Sequence, residues 1–174
     1  MVAAAVLFGG CGEDQDSPPA QGPALTKAEY EKAYRATRTD NAETRAELQK
    51  VFETTDEDET GEIAGALRKF AATSREDAKV LDALTPPPDI AAEHQDYVDL
   101  VGRIADTYDE GAQAVDDAGS ADEARAELLP MLQKLFTDEK NQLAAEDFLK
   151  AVKDGGYDLG PGLPGEVLPE GGAP

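Results

Sequence analysis

Apolar residues recur at steps of three and four along most of this chain, and that spacing predicts helices. The clearest stripe is Ile90, His94, Tyr97, Val101, Ile104, Tyr108, Gly111 and Val115, whose steps alternate between four and three. It predicts a helix over about 89–117 with a sustained a/d seam. A second stripe, Ala64, Leu67, Ala71, Ser74, Ala78 and Leu81, predicts a helix over about 62–84. Its seam is made of small residues, so a neighbouring helix can approach closely. Thr85, Pro86, Pro87 and Pro88 end it, because successive prolines have no N–H to continue the ladder.

Upstream, Thr26 and Glu29 have the spacing of a capping box. They predict a helix from Thr26 to about Thr54, apolar along Tyr30, Ala33, Tyr34, Thr37, Leu48, Val51 and Phe52, with a polar stretch near Asn41. Downstream, Gly119 is a natural stop, and Ser120 with Glu123 forms a second capping box. A last helix is predicted from there to about Val152, through Ala124, Leu128, Met131, Leu132, Leu135, Phe136, Leu143, Phe148 and Leu149. Pro130 lies inside it and predicts a kink or a split at that point. Helical stripes with short connections over 26–153 predict an all-α fold, and an antiparallel four-helix up-down bundle is the simplest way to bury them. The flanks differ. Prolines, glycines and acids over 12–25 predict a flexible linker, and the Gly/Pro-rich stretch 154–174 predicts a disordered tail.

The extreme N-terminus changes the picture further. An apolar run, Val2 to Phe8, ends in Gly9, Gly10 and Cys11, and then turns acidic and proline-rich. It is too short to span a bilayer and has the form of a secretory h-region followed by small residues. Residues 7–12 resemble the lipobox of bacterial lipoproteins, which implies a signal peptide over 1–10, a lipid on the Cys11 thiol, and a mature chain starting there. Phe8 departs from the aliphatic residue usual in that motif, and no basic n-region precedes the run, the first cation being Lys27. A signal that begins upstream of Met1 accounts for that second departure. Cys11 is the sole cysteine, so no intramolecular disulfide forms.

Charge narrows the partners. With 37 acidic and 16 basic residues the formal charge is −21. Nucleic acid is thereby disfavoured, since phosphate binding needs clustered Lys and Arg. The expected partners are the membrane, through the lipid anchor, and a protein or small molecule meeting the helical surface or a groove in it.

Catalytic and metal chemistry finds little support. His94 is the only histidine and falls on the seam between Ile90 and Tyr97, where a core role competes with a ligand role. Di-iron bundles use Glu-x-x-His, but Ala91 stands three residues before His94. Asp56, Asp58 and Thr60 match positions 1, 3 and 5 of an EF-hand loop, with Gly61 at the turn, Ile63 at position 8 and Glu62 as a further carboxylate. Position 12, which should be a bidentate Glu, is Leu67. Neither Ser74, on a helical seam, nor Ser120, a cap, sits in a nucleophile elbow. Gly160-Pro161-Gly162-Leu163-Pro164-Gly165 spells a dinucleotide fingerprint, but no strand precedes it and two of its positions are prolines without an N–H. Tyr30, Tyr34, Tyr97 and Tyr108 fall on seams and are expected in the core.

Three segments carry a family resemblance. Leu25-Thr26-Lys27-Ala28-Glu29-Tyr30, then Leu84-Thr85-Pro86-Pro87-Pro88 followed by His94, then Ala151 to Leu159 with Tyr157, together resemble a group of uncharacterised helical lipoproteins common in actinobacteria and their relatives. The resemblance spans roughly residues 25–160 on short motifs. It implies placement and a helical fold, and brings no activity. Members often carry cysteines near the positions of Arg38 and just after Tyr157; this chain has neither. Helix packing alone therefore holds the domain. The expectation is a non-enzymatic, extracytoplasmic lipoprotein that needs no cofactor and binds or interacts at the membrane face; the alternative is a Ca²⁺-binding or ion-responsive module using residues 56–62.

Overall fold

A computed structural model describes residues 22–37, 39–54 and 60–160, without the side chains of residues 39–42 and 121. Among the described residues the fold is all-helical: α1 (Lys27–Thr37), α2 (Thr39–Thr54), α3 (Thr60–Asp82), α4 (Ala91–Asp117), α5 (Ala121–Thr137) and α6 (Glu139–Asp154), with no strand.

Both predicted capping boxes start helices. At α1, Thr26 Oγ1 accepts from the Glu29 N–H at 3.4 Å, and the Glu29 carboxylate accepts from the Thr26 N–H at 2.9 Å. The Thr26 hydroxyl also donates to that carboxylate at 2.6 Å, and it and the Thr26 N–H hold the Glu29 carboxyl below the usual carboxylate range. At α5, Ser120 accepts from the Glu123 N–H, but the Glu123 carboxylate reaches back one residue further than expected, to the N–H of Gly119.

The long helices α3 and α4 form the centre and make the most extensive helix pair. Arg68 pairs with Asp116, Arg75 with Asp106 and Asp109, and Leu81 with His94, so the two run in opposite directions. Their join is the proline turn, closed by the Leu84 N–H on Leu81 O and the Ile90 N–H on Pro87 O. The same opposed order appears where α2 meets α3 (Glu47 with Lys69, Thr44 with Thr73) and where α4 meets α6 (Arg103 with Asn141, Tyr97 with Phe148). The predicted α4 seam is buried at Ile90, His94, Tyr97, Val101, Gly111 and Val115, and half-buried at Ile104 and Tyr108. Val98, Leu100, Ala105 and Ala112 are buried too, because α4 is packed by α3, α5 and α6 at once. A single seam underestimates a helix covered on several sides.

Three expectations need correction. The split in the last helix is not at Pro130. That proline stays inside α5, exposed, and Ala126, whose carbonyl loses its partner, is exposed as well, so water can satisfy it. The break comes at Asp138, which ends α5 with its N–H on Lys134 O and starts α6 by accepting from the Asn141 N–H. This break resets the helical phase. Leu143, predicted on the inner face beyond the break, is consequently 49% exposed, and Phe136, two residues before the break, is 42% exposed. Second, residues 155–160 of the expected loose tail are ordered: Tyr157 and Leu159 are buried. The remaining residues of that tail, 161–174, lie outside the described residues. Third, the end of the expected linker is tied down, since the Leu25 N–H donates to Thr85 O and its side chain packs on the core.

The core falls into two clusters. One gathers Tyr30, Tyr34, Ile90, Tyr97, Phe148 and Tyr157 with their neighbours near the proline turn. The other gathers Leu48, Ile63, Leu67, Phe70, Val115 and Leu128 towards the opposite end of α3 and α4. Ile104 touches both.

Candidate functional site

Between these clusters lies a cavity of about 140 Å³. Tyr34, Leu81, Tyr97, Leu100 and Val101 wall it from the first cluster, Phe70 and Tyr108 from the second. Thr37 of α1 and Arg45 of α2 line it, as do Leu135 and Phe136 of α5 and Asn141, Gln142 and Ala145 of α6. The cavity thus lies level with the α5–α6 break at Asp138 and with the end of α1, while α3 and α4 pass it unbroken. Exposed Phe136 and Gln142 on its lining connect it to solvent.

One polar atom there stands out. Ser74 is 1% exposed, it lines the cavity, and its hydroxyl has no hydrogen-bond partner among the described residues. A buried polar atom without a partner costs about 1–3 kcal/mol, so such atoms are few and need a reason. Around it the lining is mostly apolar; burial pushes the Tyr108 hydroxyl up, opposed by the nearby Arg45 charge. Among the described residues nothing within hydrogen-bonding distance can take a proton from Ser74.

His94 is elsewhere. It is 2% exposed, at the proline-turn end, and does not line the cavity. Its Nε2 lies 3.1 Å from Leu81 O and its Nδ1 2.8 Å from the Tyr30 hydroxyl. A carbonyl only accepts, so Nε2 carries the proton and Nδ1 accepts from Tyr30. Burial lowers the imidazole's proton affinity, the Leu81 carbonyl and the Asp82 charge opposing in part. The ring is a neutral strut joining α1, α3 and α4, with both nitrogens engaged. The predicted seam tyrosines Tyr30, Tyr34 and Tyr97 are buried in the first cluster, and Tyr108 is half-buried against Phe70.

The EF-hand-like stretch is not a loop where it is described. Asp56 and Asp58 lie outside the described residues, but α3 begins at Thr60, so Thr60, Gly61, Glu62 and Ile63 are already helical. A twelve-residue Ca²⁺ loop needs these positions unwound, and Leu67 at its twelfth position is fully buried in the core. Cys11 also lies outside the described residues, and among those described no helix is long and apolar enough to cross a membrane.

A residue that sequence reasoning missed is Tyr157. Its hydroxyl donates to Asp89 at 2.8 Å, its ring meets Tyr30, and Lys27 sits 5.0 Å above its face while donating to Gly155 O. Burial, and then the Asp89 bond, push its hydroxyl up to about 12. The family-like closing segment was the only signal for it. No protein-family model matches the chain, and neither a curated protein nor a solved structure matches it.

Proposed function

We propose that this protein is a non-enzymatic binding module held at the extracytoplasmic face of a bacterial membrane by a lipid on Cys11. In this reading its helices form an antiparallel up-down four-helix bundle: α1 with α2 is one arm, α5 with α6 another, and α3 and α4 are the two unbroken ones. The opposed residue order at the α2–α3, α3–α4 and α4–α6 contacts supports that arrangement. The observation that carries the binding role is the solvent-connected apolar cavity between the core clusters. Apolar walls left to water forgo the dispersion contacts and the burial that a fitting apolar ligand would supply, so such a cavity is a cost unless something occupies it. Ser74 without a base, and His94 with both nitrogens engaged elsewhere, favour holding a ligand over transforming it. The anchor rests on the apolar run ending at Cys11.

Two measurements test the two halves. Apolar cavities of this size take up xenon. Xenon-induced NMR shifts at Ser74, Tyr97 and Ala145 are expected; shifts scattered over the surface would remove the cavity as a binding site. For the anchor, the protein is expressed in a lipoprotein-competent bacterium from an extended start site. A mature mass that begins at Cys11 and carries acyl groups is expected in the membrane fraction, and Cys11→Ser should release an unacylated chain. An unmodified soluble wild-type chain would end that half of the reading.

A further inference from the structure

We infer that the ligand of this cavity is a neutral molecule about the size of one six-membered ring, carrying a single hydroxyl or carbonyl group that pairs with Ser74. The inference rests on the binding reading above and adds the chemical class.

Size comes first. A cavity of about 140 Å³ is close to the roughly 150 Å³ engineered apolar cavity that binds benzene. Shape comes next. Five of the chain's ten aromatic side chains, Tyr34, Phe70, Tyr97, Tyr108 and Phe136, line this one space. Flat walls offer offset-stacked and edge contacts to another ring, which a flexible alkyl chain cannot match. Polarity is set by Ser74. A serine hydroxyl donates one bond and accepts up to two, and this one, buried at the cavity wall, makes none. A ligand hydroxyl or carbonyl placed there gains the bond and relieves an existing penalty, which a purely apolar ring does not. Charge completes the argument. The lining's two charged side chains, Arg45 and Asp77, are of opposite sign, so the site favours neither a cation nor an anion, and a charged group on the ligand would leave water for mostly apolar walls at a cost far larger than one hydrogen bond returns. An anion would also approach against a net charge of −21.

Phenol is the probe, with benzene and benzoate as controls, titrated calorimetrically into the full chain and followed by amide NMR. Phenol should bind saturably and more tightly than benzene, benzoate should not bind, and the shifts should centre on Ser74, Tyr97 and Ala145. Ser74→Ala should weaken phenol by about tenfold, the worth of one hydrogen bond, and leave benzene unchanged. Ala145→Phe should abolish both by filling the space, and the NMR map on the wild type locates the site even if that variant fails to fold. Phenol and benzene binding equally, with Ser74→Ala indifferent, would overturn the class of ligand while leaving a binding cavity intact. Benzoate binding as well as phenol would overturn its neutrality. Xenon uptake with no saturable binding of either ring would also overturn this inference alone, whereas failure of xenon and both rings would take the binding reading with it.

Discussion

Ser74 and His94 are both buried polar residues on predicted helical seams, yet their states are opposite. His94 has a partner at each nitrogen; Ser74 has none. Replacing Ser74 by Ala removes a hydroxyl that pays desolvation without return, and Ala is the better helix former. In the empty protein Ser74→Ala should raise unfolding stability by about 1 kcal/mol in a denaturant titration. A destabilised variant would mean that the hydroxyl is satisfied in solution. His94 makes a pH prediction. Its folded proton affinity is depressed below the ordinary value of about 6.5, so the unfolded chain binds the proton first as pH falls. Its stabilisation is therefore whole above about pH 6.5 and lost progressively below it. Acidification also relieves the repulsion among carboxylates, so the wild-type curve mixes both effects. The difference between wild type and His94→Gln, followed by thermal melts from pH 8 to 5, should isolate the imidazole part: the wild type loses more stability on acidification than the variant. Parallel curves would show that the ring is not buried neutral. The seam positions of both residues were legible from spacing. Their pairing was not, because Tyr30 and Leu81, which hold His94, come from two other segments of the chain.

At the scale of elements, local chemistry was legible and competition between local signals was not. Capping boxes at Thr26 and Ser120 read directly because each is complete within four residues. Pro130 looked like the strongest breaker, but its ring and the carbonyl it leaves unpaired are both at the exposed face, where water takes the missing bond and the helix continues. Asp138 could break it because its side chain caps the next helix at the same point. The end of α6 shows the same economy. The Gly156 N–H bonds Lys153 O and the Tyr157 N–H bonds Val152 O, with Gly156 at φ 63°, which is a Schellman cap. Val152 and Tyr157 then meet in the first core cluster, the apolar contact that accompanies such caps. A side chain at the left-handed position costs about 1–2 kcal/mol. Gly156→Ala should therefore lower unfolding stability by about that amount, and increase hydrogen exchange at Tyr157 ahead of the rest of the core. Unchanged exchange at Tyr157 would mean that the closing segment is held by its flank contacts alone. Composition made residues 155–160 look unstructured, since glycines and few anchors are what a tail contains. The cap turns the two glycines into the device that seats Tyr157 and Leu159.

For the molecule as a whole, the helical class was readable from periodicity. The cavity was not, because it arises between two clusters that each look complete along their own stripes. Its walls come from all six helices, and no window of sequence contains them together. The cross-helix ion pairs Arg68–Asp116, Lys69–Glu47 and Arg75–Asp106 are all substantially exposed. Pairs of that kind contribute about 0–1 kcal/mol each, so stability rests on the two apolar clusters.

The contact between Lys27 and Gly155, with Arg35 on Asp158 and Glu31 on the Asp158 N–H, lays the closing segment 155–160 along the first helix. Sequence neighbours are thus dispensable as the order in which the domain is written. Gly160 lies against Arg35, so a Gly/Ser bridge long enough to run back along α1 to residue 22, with the chain reopened at the exposed Gly119–Ser120 turn, should yield a circular permutant with the same far-UV spectrum and a cooperative melt. A permutant that melts without cooperativity would show that the α4-to-α5 connection, rather than the packing of the clusters, determines the fold.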